Sequence, residues 1–228
     1  MTNSIEIRGL CKSYGDFALR DVNLTLPGGT IMGLIGENGA GKTTTIKCIL
    51  NLVRRDAGEI TLMGRDNIRE EKLAKEDIGV VLDECFFHDT LRPRDVGRIL
   101  APVFRNWDDG LYQDYLDKFQ LPEGKLIKEF SRGMKMKLSL AALAHRPKLL
   151  ILDEATAGLD PIVRDEILDE FLGFICDEEH AILISSHITS DLEKAADYIT
   201  YIHQGQVVLS DAKDVILDSY GRLGCTAA

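Results

Sequence analysis

No stretch of this chain is apolar for the roughly 18 to 20 residues that crossing a bilayer requires, so the sequence offers no membrane-spanning helix. Its start, Met1-Thr2-Asn3-Ser4-Ile5-Glu6, lacks the basic and apolar regions of a secretory signal. Positive charge is scarce as well: 27 Lys and Arg stand against 37 Asp and Glu, a formal net charge of −10. That balance excludes a general nucleic-acid-binding surface. Cysteines are few and odd in number. Cys11, Cys48, Cys85, Cys176 and Cys225 are scattered without metal-ligand spacing and read as buried or incidental thiols of a reducing compartment. Internal repeats, low-complexity segments and long linkers are missing too. The expectation is a cytosolic chain.

What is present is enough for a full core. The 228 residues are 45% hydrophobic, which suits one large domain, or a core with an inserted lobe. Ile31–Ile35, Ile78–Leu82, Leu149–Leu152 and Ala181–Ile184 are continuous apolar runs bounded by turn or polar residues. Continuous rather than alternating apolar character predicts parallel strands covered on both faces. Helical patterns lie between them, among them Pro161–Ile175 with Asp160 as its cap and Pro161 at the first helical position. The fold class is therefore α/β. Residues of about 4–30 and 58–66 alternate polar and apolar, with a turn at Pro27-Gly28-Gly29, and predict an antiparallel sheet beside the core. Residues 86–146 lack strand-like runs and carry helical patterns at Tyr112–Phe119 and Met134–His145, which predicts an inserted helical lobe. A late hairpin over Gln204–Leu209 and a helix around Asp214–Tyr220 close the chain. The whole of 1–228 is expected to be one unit.

The densest chemistry lies at Gly36-Glu37-Asn38-Gly39-Ala40-Gly41-Lys42-Thr43, a glycine loop between the apolar run Ile31–Ile35 and the helical pattern Thr44–Leu50. Strand, glycine loop and helix are the order a phosphate-binding loop needs. Glycines at 36, 39 and 41 let backbone N–H groups turn inward around a polyphosphate. Lys42 supplies charge to the terminal phosphates, and the Thr43 hydroxyl suits Mg2+. The helix N-terminus adds its partial positive charge.

Leu149-Leu150-Ile151-Leu152-Asp153-Glu154 supplies the remainder. An apolar strand ending in an acid puts Asp153 at the sheet's C-terminal edge, where nucleotide and Mg2+ sit in α/β proteins. Glu154 is then placed to polarise a water. Such a pair also serves as an ordinary turn or cap, but the phosphate loop favours catalysis. His187 follows another strand end, Ala181-Ile182-Leu183-Ile184-Ser185-Ser186, and is placed as a donor to the γ-phosphate or the attacking water.

With these residues in place, the chain resembles the nucleotide-binding subunit of an ABC transporter from about residue 4 to residue 210. Gly36 to Thr43 is similar to Walker A, and Leu149 to Asp153 to Walker B. Glu154 stands in the catalytic glutamate position, Ala157-Gly158-Leu159-Asp160 resembles the D-loop, and His187 resembles the switch histidine. The resemblance implies that Gly36, Asn38, Gly39, Ala40, Gly41, Lys42, Thr43 and Thr44 hold ATP, with Thr43, Asp83 and Asp153 toward Mg2+. It further implies that Tyr14 stacks on adenine and that Ser131, Gly133 and Asp160 complete the site across a dimer.

Two motifs depart from the family. Its signature, usually Leu-Ser-Gly-Gly-Gln, is Phe130-Ser131-Arg132-Gly133-Met134 here. Ser131 remains an N-cap and Gly133 still permits close approach; Arg132 either adds a phosphate contact or projects to solvent. Where the family has the glutamine of its Q-loop this chain has Asp83, which is either an oxygen ligand for Mg2+ or a charge that weakens nucleotide affinity. These runs are similar to those of certain bacterial exporter ATPases, some linked to peptide-antibiotic resistance. Family membership implies a homodimer or heterodimer, a separate multi-span membrane permease, and peripheral placement on the inner face of the membrane. Cys85-Phe86-Phe87-His88 and Leu91 fall where that permease would dock, or else form helical-lobe core. The alternative is a soluble ABC ATPase of the iron–sulfur assembly type, acting on scaffold proteins.

Overall fold

The computed structural model describes residues 3–221; Cys225 lies outside them. The strands are β1 (Asn3–Tyr14), β2 (Phe17–Pro27), β3 (Ile31–Ile35), β4 (Ala57–Leu62), β5 (Arg65–Asp66), β6 (Ile78–Val81), β7 (Leu149–Asp153), β8 (Ala181–Ser185), β9 (Tyr198–His203) and β10 (Gln206–Ala212). The α-helices are α1 (Lys42–Ile49), α2 (Glu71–Glu76), α3 (Pro93–Leu100), α4 (Asp109–Lys118), α5 (Arg132–Ala141), α6 (Pro161–Phe174), α7 (Thr189–Ala195) and α8 (Lys213–Ser219).

Two sheets result. One is antiparallel, in the order β2-β1-β4-β5; the other has the order β10-β9-β3-β8-β7-β6, with every neighbouring pair parallel except the β9–β10 hairpin. Every residue of β7 and β8 is buried, which is why they are continuously apolar up to their last residues, Asp153 and Ser185.

The pleat divides these strands between two cores. Met32, Leu34, Leu149, Ile151, Ala181 and Leu183 face a cluster that also contains Ile5, Ile7 and Leu10 of β1 and Ile46 and Ile49 of α1. Ile31, Leu150, Leu152, Ile182 and Ile184 face a second cluster with α4, α5 and α6. Alternate residues point to opposite faces, so helix α1 is packed between the two sheets. Its N-terminus consequently opens at the C-terminal edge of β3.

The helices of 93–141 lie on the second core. Asp108 caps α4 by accepting from Leu111 N at 2.9 Å, and Ser131 caps α5 by accepting from Met134 N at 3.2 Å. Helix α5 starts two residues earlier than its apolar pattern and stops at Ala141, before His145. Arg146 has a φ of 55° and precedes Pro147, whose ring disfavours helix for the residue before it. The short helices α2 and α7 have no counterpart among the patterns read above, while β5 falls at the end of the 58–66 segment expected in the antiparallel sheet. The late hairpin is longer than its turn-centred pattern, and β9 extends the parallel sheet beside β3.

Candidate nucleotide site

Helix α1 begins without the usual satisfaction of its first turn. Gly41 takes the cap position at a φ of 117°, no side chain caps the helix, and its first turn carries no acid. The free N–H groups and the helix dipole therefore face outward, uncompensated. Only glycine fits at 41: an added Cβ would also lie 2.6 Å from Leu19 Cδ2. The loop before it is tightened by Ala40 N donating to Glu37 O at 3.0 Å. Lys42 folds back over the loop, its buried ammonium donating to Gly36 O at 2.8 Å.

The C-terminal ends of β7 and β8 complete this edge. Their register pairs Asp153 with Ser185. The buried Ser185 hydroxyl donates to Asp153 Oδ1 and accepts from Glu154 N at 3.2 Å. Glu154 N also lies 3.1 Å from Ser185 O. These contacts hold Glu154 at a φ of 53°, a left-handed conformation that costs a non-glycine residue about 1–2 kcal/mol. Such strain persists where the surroundings over-determine it and collects at functional sites. It aims the Glu154 carboxylate between the side chains of Lys42 and His187. Lys42 Nζ is 3.5 Å from Oε1, and His187 Nδ1 is 2.5 Å from Oε2, so Nδ1 carries the proton in that contact.

A cavity of about 510 Å³ lies over this edge. Of the residues singled out from the sequence, Asn38, Gly39, Gly41, Lys42, Thr43, Thr44, Asp83, Glu154 and His187 line it. Asp153 is buried behind them, and Gly36 meets the site through its carbonyl. Tyr14 is not on the lining. It is 44% exposed, with Lys12 Nζ 5.3 Å from its ring centre. Phe17, its cross-strand partner, lines the cavity instead. Ser131 and Gly133 do not line it either, and Asp160 accepts from Val163 N at 3.1 Å as the cap of α6.

Arg132 does not project clear of the site. It lines the cavity, donates to Asp83 O at 3.4 Å, and lies so near Gly158 that a Cβ there would sit 2.9 Å from its Nη1. Sequence reasoning missed Phe17 on the lining and the role of Ser185 behind it, and it named Glu37 and Ala157 only as members of motifs without assigning them to the site. Ser185's signal was present: a hydroxyl at the strand end next to the acidic one.

Among the described residues no group of three His, Cys, Asp or Glu side chains is disposed to hold a metal ion. Mg2+ in phosphoryl-transfer sites needs no such cage, since phosphates and water supply most of its ligands. The hydroxyl of Thr43 and the carboxylates of Asp153 and Asp83 are hard oxygen donors suited to it.

A parallel sheet, a glycine loop opening a helix, a buried lysine, and a strained glutamate between lysine and histidine define a P-loop ATPase. Comparison with known proteins makes the class specific. Residues 19–157 match the ABC transporter family. The lantibiotic transport ATP-binding protein SrtF of Streptococcus pyogenes is 37% identical over 214 residues, covering 92% of this chain and 91% of SrtF. The bacitracin transport ATP-binding protein BcrA of Bacillus licheniformis is 35% identical over 212 residues, covering 91% of this chain and 69% of BcrA. A solved ATP-binding subunit of an ABC transporter superposes with a TM-score of 0.86 at 26% identity, covering 94% of this chain and 92% of that one. A dimeric ATP-binding cassette bound to ADP and Pi shares the fold, with a TM-score of 0.80 at 20% identity over 91% of this chain and 98% of the other. The chain belongs to the ABC transporter family and is one of its ATP-binding, ATP-hydrolysing subunits. These relatives are transport proteins, which disfavours the soluble assembly alternative. No helix of the described residues is long and apolar enough to cross a membrane.

Proposed function

We propose that this subunit drives a peptide-antibiotic exporter, sitting on the inner face of the membrane against a multi-span permease. The observation that carries the reading is likeness to SrtF across nearly the full length of both chains, with BcrA in agreement.

In this reading residues 1–228 act as one unit, with 86–146 as its helical lobe. Main-chain N–H groups of 39 and 41–44, with Lys42, hold the β- and γ-phosphates. Thr43, Asp83 and Asp153 would hold Mg2+, which would neutralise charge developing on the phosphates. Glu154 accepts a proton as water attacks the γ-phosphorus, and the γ-phosphate leaves ADP as inorganic phosphate. His187 holds Glu154 and donates toward the phosphate. Tyr14 or Phe17 provides the platform for the base. Ser131, Gly133 and Asp160 lie off this chain's own cavity because they serve nucleotide held by a second ATPase subunit, identical or homologous.

The permease reads this cycle beside Asp83. Phe86 is 72% exposed, whereas Phe87 packs on the second core, so Phe86 alone is free to be covered. It borders a groove of about 360 Å³ lined by Val80, Leu82, Phe104 and His145. The subunit should be co-expressed with the membrane protein encoded beside it and challenged with a lantibiotic, bacitracin and a non-peptide toxin. Tolerance of either peptide that disappears in Lys42→Ala supports the proposal. Unchanged tolerance of both peptides, with ATPase intact, overturns export of peptides and leaves the ATPase standing.

A further inference from the structure

Near the site lie two buried polar atoms of opposite character, neither with a hydrogen-bond partner: Arg164 Nε and Asp191 Oδ2. They are 4.0 Å apart. Asp191 is only 3% exposed. A carboxylate so placed bears the loss of its hydration with no bond in return. Its separation from Arg164 is near contact without being a hydrogen bond, and an approach of about 1 Å would make one.

The location gives this unmade pair its meaning. Arg164 lies in the first turn of α6, and its Nη2 donates to Leu159 O at 3.3 Å, gripping the segment 157–160 that follows Glu154. Asp191 lies in the first turn of α7, four residues beyond His187. The two residues therefore join the segments that flank Glu154 on either side. Neither reaches the cavity lining. A second tie between the same helices, Lys194 to Asp165 at 2.9 Å, lies on the surface, and such pairs contribute little. The buried pair is the one able to set the spacing.

We infer that Arg164 and Asp191 are a positioning pair that couples the 157–160 segment to the His187 segment and so keeps His187 against Glu154. The inference rests on Glu154 and His187 handling the attacking water.

The test measures kcat, nucleotide affinity and melting temperature on Asp191→Asn, Arg164→Ala, Arg164→Lys and the Arg164→Ala/Asp191→Asn double variant, with Glu154→Gln alongside. A misplaced reacting group costs rate rather than binding, so Asp191→Asn and Arg164→Ala are each expected to lose about tenfold in kcat, with ATP affinity within about twofold. The double variant should lose no more than the worse single one, and Arg164→Lys should recover most of the rate. Wild-type kcat in Asp191→Asn, assayed well below its melting temperature, overturns the pairing. So do losses that multiply in the double variant. If Arg164→Ala does not fold, Asp191→Asn and Arg164→Lys still decide. A Glu154→Gln protein with wild-type turnover would reject the underlying reading of the site; an inactive Glu154→Gln beside unaffected pair variants rejects the pair alone.

Discussion

The nucleotide cavity has two walls of different make. One consists of Glu154 and His187 with Asp153 and Ser185 behind them, tied by hydrogen bonds at the ends of β7 and β8, and of Lys42 at the start of α1, 3.5 Å from Glu154. The other consists of Asp83 and Arg132, exposed side chains joined through a single 3.4 Å bond to a backbone carbonyl, with exposed Phe86 just beyond. The first wall keeps every family residue at its motif positions; the second departs at 83, 132 and 134. Phosphate chemistry tolerates little displacement and is therefore built on buried strands. On the proposed function the second wall faces a partner, and it then has room to vary because its job is to match another surface.

Variants can break this contrast. Lys42→Ala removes the only cation buried under the phosphate loop among the described residues. A loss of at least about 100-fold in ATP affinity by equilibrium titration is expected, as for a charge-assisted phosphate contact. Phe86→Asp strikes the second wall. Forgoing burial of a phenylalanine is worth about 1.5–3 kcal/mol, so copurification with the permease should fall by about 10- to 100-fold while ATP binding persists. Comparable damage from Phe86→Asp to ATP affinity would show that the walls are not separable.

The smallest effect concerns pH. His145, in the groove beside Phe86, is buried with Nε2 against Ile78 O at 3.0 Å, and its ring stacks on Phe104. Burial holds its pKa below the ordinary 6.5. The unfolded chain therefore binds the proton first. The stability from neutral His145 is complete above about pH 6.5 and is lost as pH falls toward the folded-state value. Denaturant midpoints should drop over that window, and His145→Phe should flatten the dependence.

The same division governs what could be read from the sequence. The phosphate loop was legible because its glycines, lysine and threonine are contiguous and lie between a strand and a helix. Asp153 and Glu154 were legible because an all-buried strand leaves no doubt where it ends. Ser185 was not, since its role depends on a cross-strand register that pairs it with Asp153. Phe17 was hidden by Tyr14, which faces it across the hairpin and carries the family's expected aromatic ring. Arg132 left two outcomes open, and only the packing of its segment against Gly158 brings it over the cavity. Helices α2 and α7 span six and seven residues, too short for an apolar period to repeat.

Glu154 held between Lys42 and His187 is the centre of the account, and Glu154→Gln tests it most directly. Single-turnover hydrolysis and light-scattering chromatography should be run on the same sample with MgATP. The expected result is turnover reduced about 1,000-fold, within the contribution of a general base, together with an ATP-loaded dimer. Wild-type turnover with no dimer retained would contradict it.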